Sequence, residues 1–315
     1  MLLALAGYLA VQYLTGSRGE PKCKVVAGNG DGESYEFTAE QAVNAATITA
    51  VGTLRGVPER AVTIALATSL QESALLNIAH GDRDSLGLFQ QRPSQGWGTE
   101  KEILDPTYAA DEFYEHLEKV PDYTKLPLTI AAQRVQRSGY PEAYAKHEPD
   151  ATLLAAALTG RAAGTLTCEG RPSTAPDGPE TVRSALVRDF GRDVLRKVGA
   201  EATATSPAAT SPASASASAS ASAAVPSVSS TGASSPGGPQ TVTLTVPKAP
   251  AAQGGALRRG WALAHWAVAN ASALHVDRVS YAGRAWTAGN TQSEWRDDGS
   301  GARNATDEVR IVTGQ

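Results

Sequence analysis

Residues 69–92 read SLQESALLNIAHGDRDSLGLFQQR. A single glutamate, Glu72, closes a helical run that carries no other charge after Arg60, and a glycine-anchored, glutamine-rich turn follows within twenty residues. On a helix Glu72 shares a face with Ala65, Thr68 and Ser69, whose small side chains leave room for a ligand to approach the carboxyl group. The bulkier Val62, Leu66 and Leu70 lie on another side and can anchor the helix. A carboxylic acid in a partly apolar cleft keeps its proton to higher pH, because desolvation disfavours the charged form. That is what a general acid for a glycosidic oxygen requires. The competing reading, from position alone, is a solvated glutamate at a helix end.

The elements that must position this group are legible as helix starts and stops. Thr38 and Gln41 form a capping box, and Pro58, Pro106 and Pro127 stand where prolines open helices. The spacing that follows predicts helices over Glu59–Ser73, Thr107–Val120 and Leu128–Ser138, and another from Asp150 as N-cap through Leu153, Leu154 and Leu158 to Gly160 as C-cap. No stretch here alternates with period two long enough to predict a strand. The region 23–168 is therefore expected to be mostly α-helical. The chain's two cysteines, Cys23 and Cys168, bracket it. A disulfide between them is the economical expectation, with two separate buried thiols as the alternative. On the chain-entropy account, closing so long a loop stabilises the fold by about 5 kcal/mol.

Beyond it, PETVRSALVRDFGRDVLRKV places Val182, Leu186, Val194 and Leu195 near helical spacing with Gly191 inside, so residues 169–199 read as an amphipathic helical extension. Residues 200–256 are almost entirely Ala, Ser, Thr, Pro and Gly, including SASASASASA. Such a stretch buries too little apolar area to offset the entropy of ordering it, so a disordered linker is expected, with a reach of about 40 Å as a coil. Residues 257–315 regain periodicity: WALAHWAVANAS reads as a helix, and DRVSYAG, RAWTAG and EVRIVTG as three strands of a small α+β module.

Composition narrows the partners. A formal net charge of -4 and a pI near 5.8 leave no electrostatic footprint for nucleic acid. The opening MLLALAGYLAVQYL is apolar, but at about 1.5 Å per residue it spans only about 21 Å of a hydrocarbon core about 30 Å thick. Residues 1–17 are read as the remainder of a signal or membrane anchor, which implies an extracytoplasmic protein, membrane-anchored or secreted. One short apolar segment cannot build a transport pathway. His80, His147 and the nearby aspartates match no metal-ligand spacing, so neither metal nor cofactor is expected.

Three stretches in order, LATSLQESALLN, the Ser85-Leu-Gly87-Leu88-Phe89-Gln90 turn and AAQRVQRSGYPEAYA, resemble the lysozyme-like superfamily, in its soluble lytic transglycosylase and goose-type lysozyme branch. The resemblance covers roughly residues 40–150. GDRDSLGLFQQRPSQGWGT is also similar to stretches of actinobacterial exported proteins and phage tail lysozyme-like domains. The resemblance implies a mostly α lysozyme-like domain acting on peptidoglycan glycan strands, with Glu72 as catalytic acid and Ser73 beside it. Ser85, Gly87, Leu88, Phe89 and Gln90 would line the glycan groove. The third motif departs from the family: Ala132-Gln133 and Val135-Gln136 stand where relatives carry Tyr-Asn. Gln133 is expected to offer its amide to a sugar N-acetyl group, and Tyr144 to supply the missing phenol. Asp82 and Asp84 are candidates for the second carboxylate that hydrolysis by inversion needs. The plainer reading has them capping a turn and pairing with Arg83 or Arg92, so hydrolase and lytic transglycosylase both stay open. Trp97, in the GWGT turn, is either a sugar-stacking platform or core.

The stretch LAHWAVANASALHVDRVSYAGRAW resembles a small domain of actinobacterial wall proteins related to zinc D-Ala-D-Ala carboxypeptidases. Those relatives end on Asp-His-Val-His. Here Asp307-Glu308-Val309-Arg310 stands in that place, and arginine cannot ligate zinc. A non-catalytic module that binds wall or an unidentified partner is expected. Over the whole chain, peptidoglycan cleavage is the leading expectation. The alternative is a lysozyme-like protein that has lost activity and acts as a wall-binding or scaffolding protein.

Overall fold

The computed structural model describes residues 21–28, 32–139, 141–170, 178–192, 194, 240–246, 255–289, 294–299 and 307–314. The expected anchor at 1–17 and most of the expected linker at 200–256 lie outside these residues. No helix among the described residues is long and apolar enough to cross a membrane.

The N-terminal part is α-helical with a small sheet that the sequence reading did not expect. Strands β1 (Lys22–Val26), β2 (Ser34–Thr38) and β3 (Leu166–Cys168) form an antiparallel sheet in the order β2-β1-β3. The signal was present but brief: KCKVV alternates exposed and buried side chains over just five residues. Cys23 and Cys168 face each other across β1 and β3 and are joined by a disulfide. The cross-link therefore ties the first strand of the region to its last.

Helix α1 (Ala39–Arg55) starts at the Thr38–Gln41 capping box and stops at Gly56 in the left-handed conformation. Helix α2 (Glu59–Ser73) is the central element, with every residue from Ala61 to Leu70 buried. Around it stand α3 (Glu100–Ile103), α4 (Pro106–Glu118), α5 (Leu128–Gln136), a 3-10 turn (Pro141–His147) and α6 (Glu148–Leu158). Asp150 does not cap α6 but lies in its first turn. Pro149 is tolerated there, because amides at that end have no intrahelical acceptor, so the helix opens earlier, at Glu148. Helix α2 packs against α1, α6 and the 3-10 turn. Beyond β3, helix α7 (Pro179–Phe190) ends at Gly191.

The C-terminal part holds α8 (Gly255–Ala269) and an antiparallel sheet of β4 (Gln240–Thr245), β5 (Val276–Tyr281), β6 (Arg284–Thr287), β7 (Arg296–Asp297) and β8 (Glu308–Thr313), in the order β4-β8-β5-β6-β7. Two features correct the expected linker. Gln240–Thr245 lies inside the stretch 200–256, yet pairs along its whole length with β8. QTVTLT alternates polar residues with Val242 and Leu244, both of which are buried. Residues 255 and 256 open α8.

A larger correction concerns independence. The expected picture is a tethered module, but α8 packs on α6, α1 and β3, and one continuous core runs through both parts. Three tryptophans donate across the seam: Trp266 Nε1 to Asp189 at 2.8 Å, Trp286 Nε1 to the Cys168 carbonyl at 3.0 Å and Trp295 Nε1 to the Leu166 carbonyl at 2.9 Å. Arg258 reaches the Thr159 carbonyl at 3.0 Å and Glu59 at 2.9 Å. Asp189 itself is fully buried, and also accepts from Thr47 and Arg188.

His265 is fully buried in this seam. Its Nδ1 lies 2.7 Å from the Ala157 carbonyl, and its Nε2 accepts from the Thr165 N–H at 3.2 Å. A neutral ring protonated on Nδ1 satisfies both. Burial pushes its pKa down to about 4, with the Ala157 bond opposing. Below the ordinary value of 6.5 the unfolded chain takes up a proton that the folded chain refuses, so this contribution to stability is complete above that pH and drains away as pH falls toward 4. The expected loss is about 3 kcal/mol. Denaturant melts from pH 7.5 to pH 4 should show it in wild type, with a shallower dependence in the non-titrating His265→Gln. Equal slopes in the two proteins would refute it.

Candidate active site

Glu72 stands in the last turn of α2. The helix stops there because Ala74 and Leu75 both take positive φ, 54° and 60°, with their N–H groups bonded back to Leu70 and Ser69. Gln41 and Asn44, reaching over from α1, donate to the Ala74 and Leu75 carbonyls at 2.8 Å each and hold the sharp exit in place. The acid is thereby left half-buried at the rim of the core.

Tyr144 Oη, carried on the 3-10 turn, faces its carboxyl group and donates to Glu72 Oε1 at 2.6 Å. Burial pushes the Glu72 carboxyl above its ordinary value, and outweighs the opposing effects of Tyr144 and Gln136. Burial, reinforced by the neighbouring Glu72, pushes the Tyr144 phenol up as well, so it remains a protonated donor; a bond from Ser138 acts the other way.

The turn after α2 is stapled to this site through its backbone. Leu86 and Gln91 exchange N–H···O bonds of 2.9 and 3.0 Å around Gly87, whose φ is 73°. A Cβ on Gly87 would sit 2.6 Å from the Ile103 carbonyl oxygen, so only glycine fits. Ser69 and Ser73 both donate to the Leu88 carbonyl, at 3.0 and 2.8 Å, and Gln136 Nε2 donates to the Phe89 carbonyl at 2.7 Å. The side chains of Leu88 and Phe89 are fully buried, Phe89 stacking on Phe113. Ser85 is buried and bonds through its N–H to the Asp82 carbonyl. Gln90 is the member of the expected groove set whose side chain stays partly exposed, at φ 48°. Thus the structure brings Glu72, Tyr144 and the turn's backbone together, while Ser73, Leu88 and Phe89 hold the turn from inside.

Gln133 donates to the Ser138 carbonyl at 2.8 Å. Gln136, three residues on along the same helix face, reaches the turn at Phe89 instead.

The loop aspartates take the plainer of their two readings. Asp84 accepts from Arg92 Nε at 2.7 Å and from the Ser94 N–H at 2.9 Å, and its bonds from Ser94, then that from Arg92, hold it well below the usual carboxylate range. Asp82 is 94% exposed and lies 3.9 Å from Arg83. Trp97 is half-buried and stacks on His116 with ring centroids 4.1 Å apart. Among the described residues no group of three or more His, Cys, Asp or Glu side chains is placed to hold a metal.

Backbone strain concentrates here. Of the eight described non-glycine residues with positive φ, five flank the site: Ala74, Leu75, Arg83, Gln90 and Arg137. Such conformations cost about 1–3 kcal/mol each and gather where function requires a fixed geometry. A separate polar concavity of about 580 Å³ lies on the outer face of the C-terminal sheet, lined in part by Thr241, Thr243, Arg278 and Ser280. Arg310 pairs there with Glu308 at 3.2 Å.

Residues 214–308 are similar to a family described as VldE, C-terminal domain. That stretch is less than a third of the 315 residues and does not reach Glu72. No curated protein matches the chain.

Proposed function

We propose that this protein is a lysozyme-like enzyme that cleaves the glycan strand of peptidoglycan, with Glu72 as the general acid. The observation that carries the proposal is the half-buried Glu72 carboxyl, raised above its ordinary value and oriented by the Tyr144 phenol at 2.6 Å. Such a group still holds a proton where a solvated glutamate has lost it, and can deliver that proton to the bridging oxygen between two sugars as the C–O bond breaks. An extracytoplasmic location agrees with the Cys23–Cys168 disulfide, since such bonds persist in oxidising compartments.

Between the two chemistries, lytic transglycosylation is favoured. Inverting hydrolysis needs a second carboxylate about 6.5–9.5 Å away to activate water. Asp84 is already bonded through both oxygens and Asp82 stands out in solvent. Intramolecular attack by the sugar's own C6 hydroxyl needs one carboxyl group, which gives up its proton to the leaving oxygen and takes one back from the hydroxyl. The rival reading, an inactive wall-binding protein, draws on the altered third motif, where Gln133 bonds to Ser138 rather than to the acid. Incubation of the full chain with purified peptidoglycan, followed by mass analysis of soluble products, tests all three. Anhydro-sugar ends are expected. Reducing ends would replace transglycosylation by hydrolysis, and pelleting with the wall without any release would favour the binding reading.

A further inference from the structure

We propose that the concavity of about 580 Å³ on the outer face of the C-terminal sheet binds a phosphorylated sugar or polyol, with the Arg278 guanidinium taking the phosphate. This site shares no residue with the one around Glu72, and its function does not depend on glycan cleavage. Val242, Leu244, Val279, Val309 and Ile311 are buried on the inner face of the sheet, so the residues alternating with them face outward. What they place there is a set of hydrogen-bond donors: Thr241 and Thr243 from β4, Arg310 from β8, and Arg278 and Ser280 from β5. Val312 is the only apolar side chain among the described residues of the lining.

Arg278 faces outward because the strand is irregular just before it. Val276 and Arg278 are two apart, so regular pairing would put both on one face. The pairing with β8 slips between them, with Thr313 opposite Val276 and Val312 opposite Arg278. The extra residue, Asp277, lets Val276 turn inward while Arg278 is exposed. Such bulges re-aim side chains and are common beside functional sites. Among the described residues Arg278 has no ion-pair partner, and the Thr241, Thr243 and Ser280 hydroxyls have no hydrogen-bond partner. The carboxylates of the lining stand away from Arg278. Glu308 is four positions along β8 from the residue opposite Arg278 and pairs with Arg310 at 3.2 Å, and Asp298 follows β7, two strands from β5.

The free groups define the ligand. A guanidinium offers a planar fork that matches phosphate oxygens. Hydroxyls both donate and accept, which suits the hydroxyls of a sugar or polyol. Strands β4 and β5 flank β8, so the donors spread over about 10 Å, wider than a bare phosphate ion. A phosphate at Arg278 with a short hydroxyl-bearing chain reaching toward Thr241 and Thr243 spans that width. The volume lies within the range of about 300–1,000 Å³ usual for small-molecule sites. With Val312 alone to meet hydrocarbon, the lining does not suit the acyl chains of a lipid.

The test is an amide NMR titration of the full-length protein with sn-glycerol 3-phosphate, glycerol and inorganic phosphate as probes. Glycerol 3-phosphate should bind at one site, with shifts confined to β4, β5 and β8, and more tightly than inorganic phosphate. Glycerol alone should not bind. Arg278→Gln removes a charge-assisted fork and should weaken binding about tenfold to a hundredfold. Thr243→Val, which deletes one hydroxyl from an exposed strand position, should weaken it about threefold to tenfold. Arg134→Gln, an equal charge change at an exposed position of α5, should leave affinity within about twofold. Equal losses in Arg134→Gln and Arg278→Gln would reduce the effect to general charge and overturn the site, as would the absence of shifts in the three strands with every probe. Inorganic phosphate binding as tightly as glycerol 3-phosphate would overturn the sugar or polyol assignment. Binding confined to phosphatidylglycerol vesicles would place the phosphate on a lipid and overturn it as well.

Discussion

Glu72→Gln should lower glycan release on the order of a thousandfold while leaving the fold and wall pelleting intact, because a positioned general acid is worth about 10²–10⁴ in rate. The substitution keeps the shape of the side chain. Its amide oxygen can still accept the Tyr144 hydrogen that now lies 2.6 Å away, so the 3-10 turn carrying Tyr144 keeps its anchor. What it loses is the transferable proton. The half-buried carboxyl that burial pushes upward gives way to a neutral group, so stability should hold or rise slightly, as is common when a strained catalytic group is removed. The pH profile supplies a second check. An acid must carry its proton to act, so wild-type activity should fall as pH rises through the Glu72 value, which lies above the ordinary value for glutamate. Zymography with matched protein amounts reads the first effect and a buffer series the second. Clearing by Glu72→Gln at near wild-type rate would mean that the proton comes from elsewhere.

Much of this site was legible before any coordinates. The span Glu59–Ser73 is the observed α2 from end to end, because Pro58 fixes the start and the buried run from Ala61 to Leu70 leaves no surface on which the helix could stop earlier. The Thr38–Gln41 box and the Cys23–Cys168 pair were equally readable, each depending on local chemistry or on the absence of another partner. What escaped was of two kinds. Strands β1 and β3 are five and three residues long, too short for period two to stand out from chance. The roles of Leu88, Phe89 and Gln133 depend on which way a side chain leaves a turn or a helix end, and that is decided by tertiary partners such as Phe113 and Ser138. The placement of Gln240–Thr245 failed for a further reason. Six residues of good alternation adjoin a long tract without large side chains, and composition averaged over the tract hides them.

A chain ending at residue 199 should fail to hold the native fold of the helical part, contrary to what a tether between independent modules would allow. Its loss strips away α8, in which every residue from Gly260 to Ala269 is buried, together with Trp286 at 0% exposure. Each large apolar side chain withdrawn from the core costs about 1.5–3 kcal/mol of burial, and domains are typically stable by about 5–15 kcal/mol in total. Polar groups add to the deficit. The Leu166, Cys168 and Ala157 carbonyls lose Trp295, Trp286 and His265, and the fully buried Asp189 loses Trp266. The disulfide does not compensate, because it acts mainly by restricting the unfolded chain and leaves the uncovered face of α6 and β3 apolar. The intact protein should accordingly unfold in one cooperative calorimetric transition, and the shortened chain should lack near-ultraviolet circular dichroism and be rapidly digested. Two resolved transitions in the intact protein, or a native-like melt of the shortened one, would restore the picture of separate modules and remove the structural role assigned here to the seam around His265.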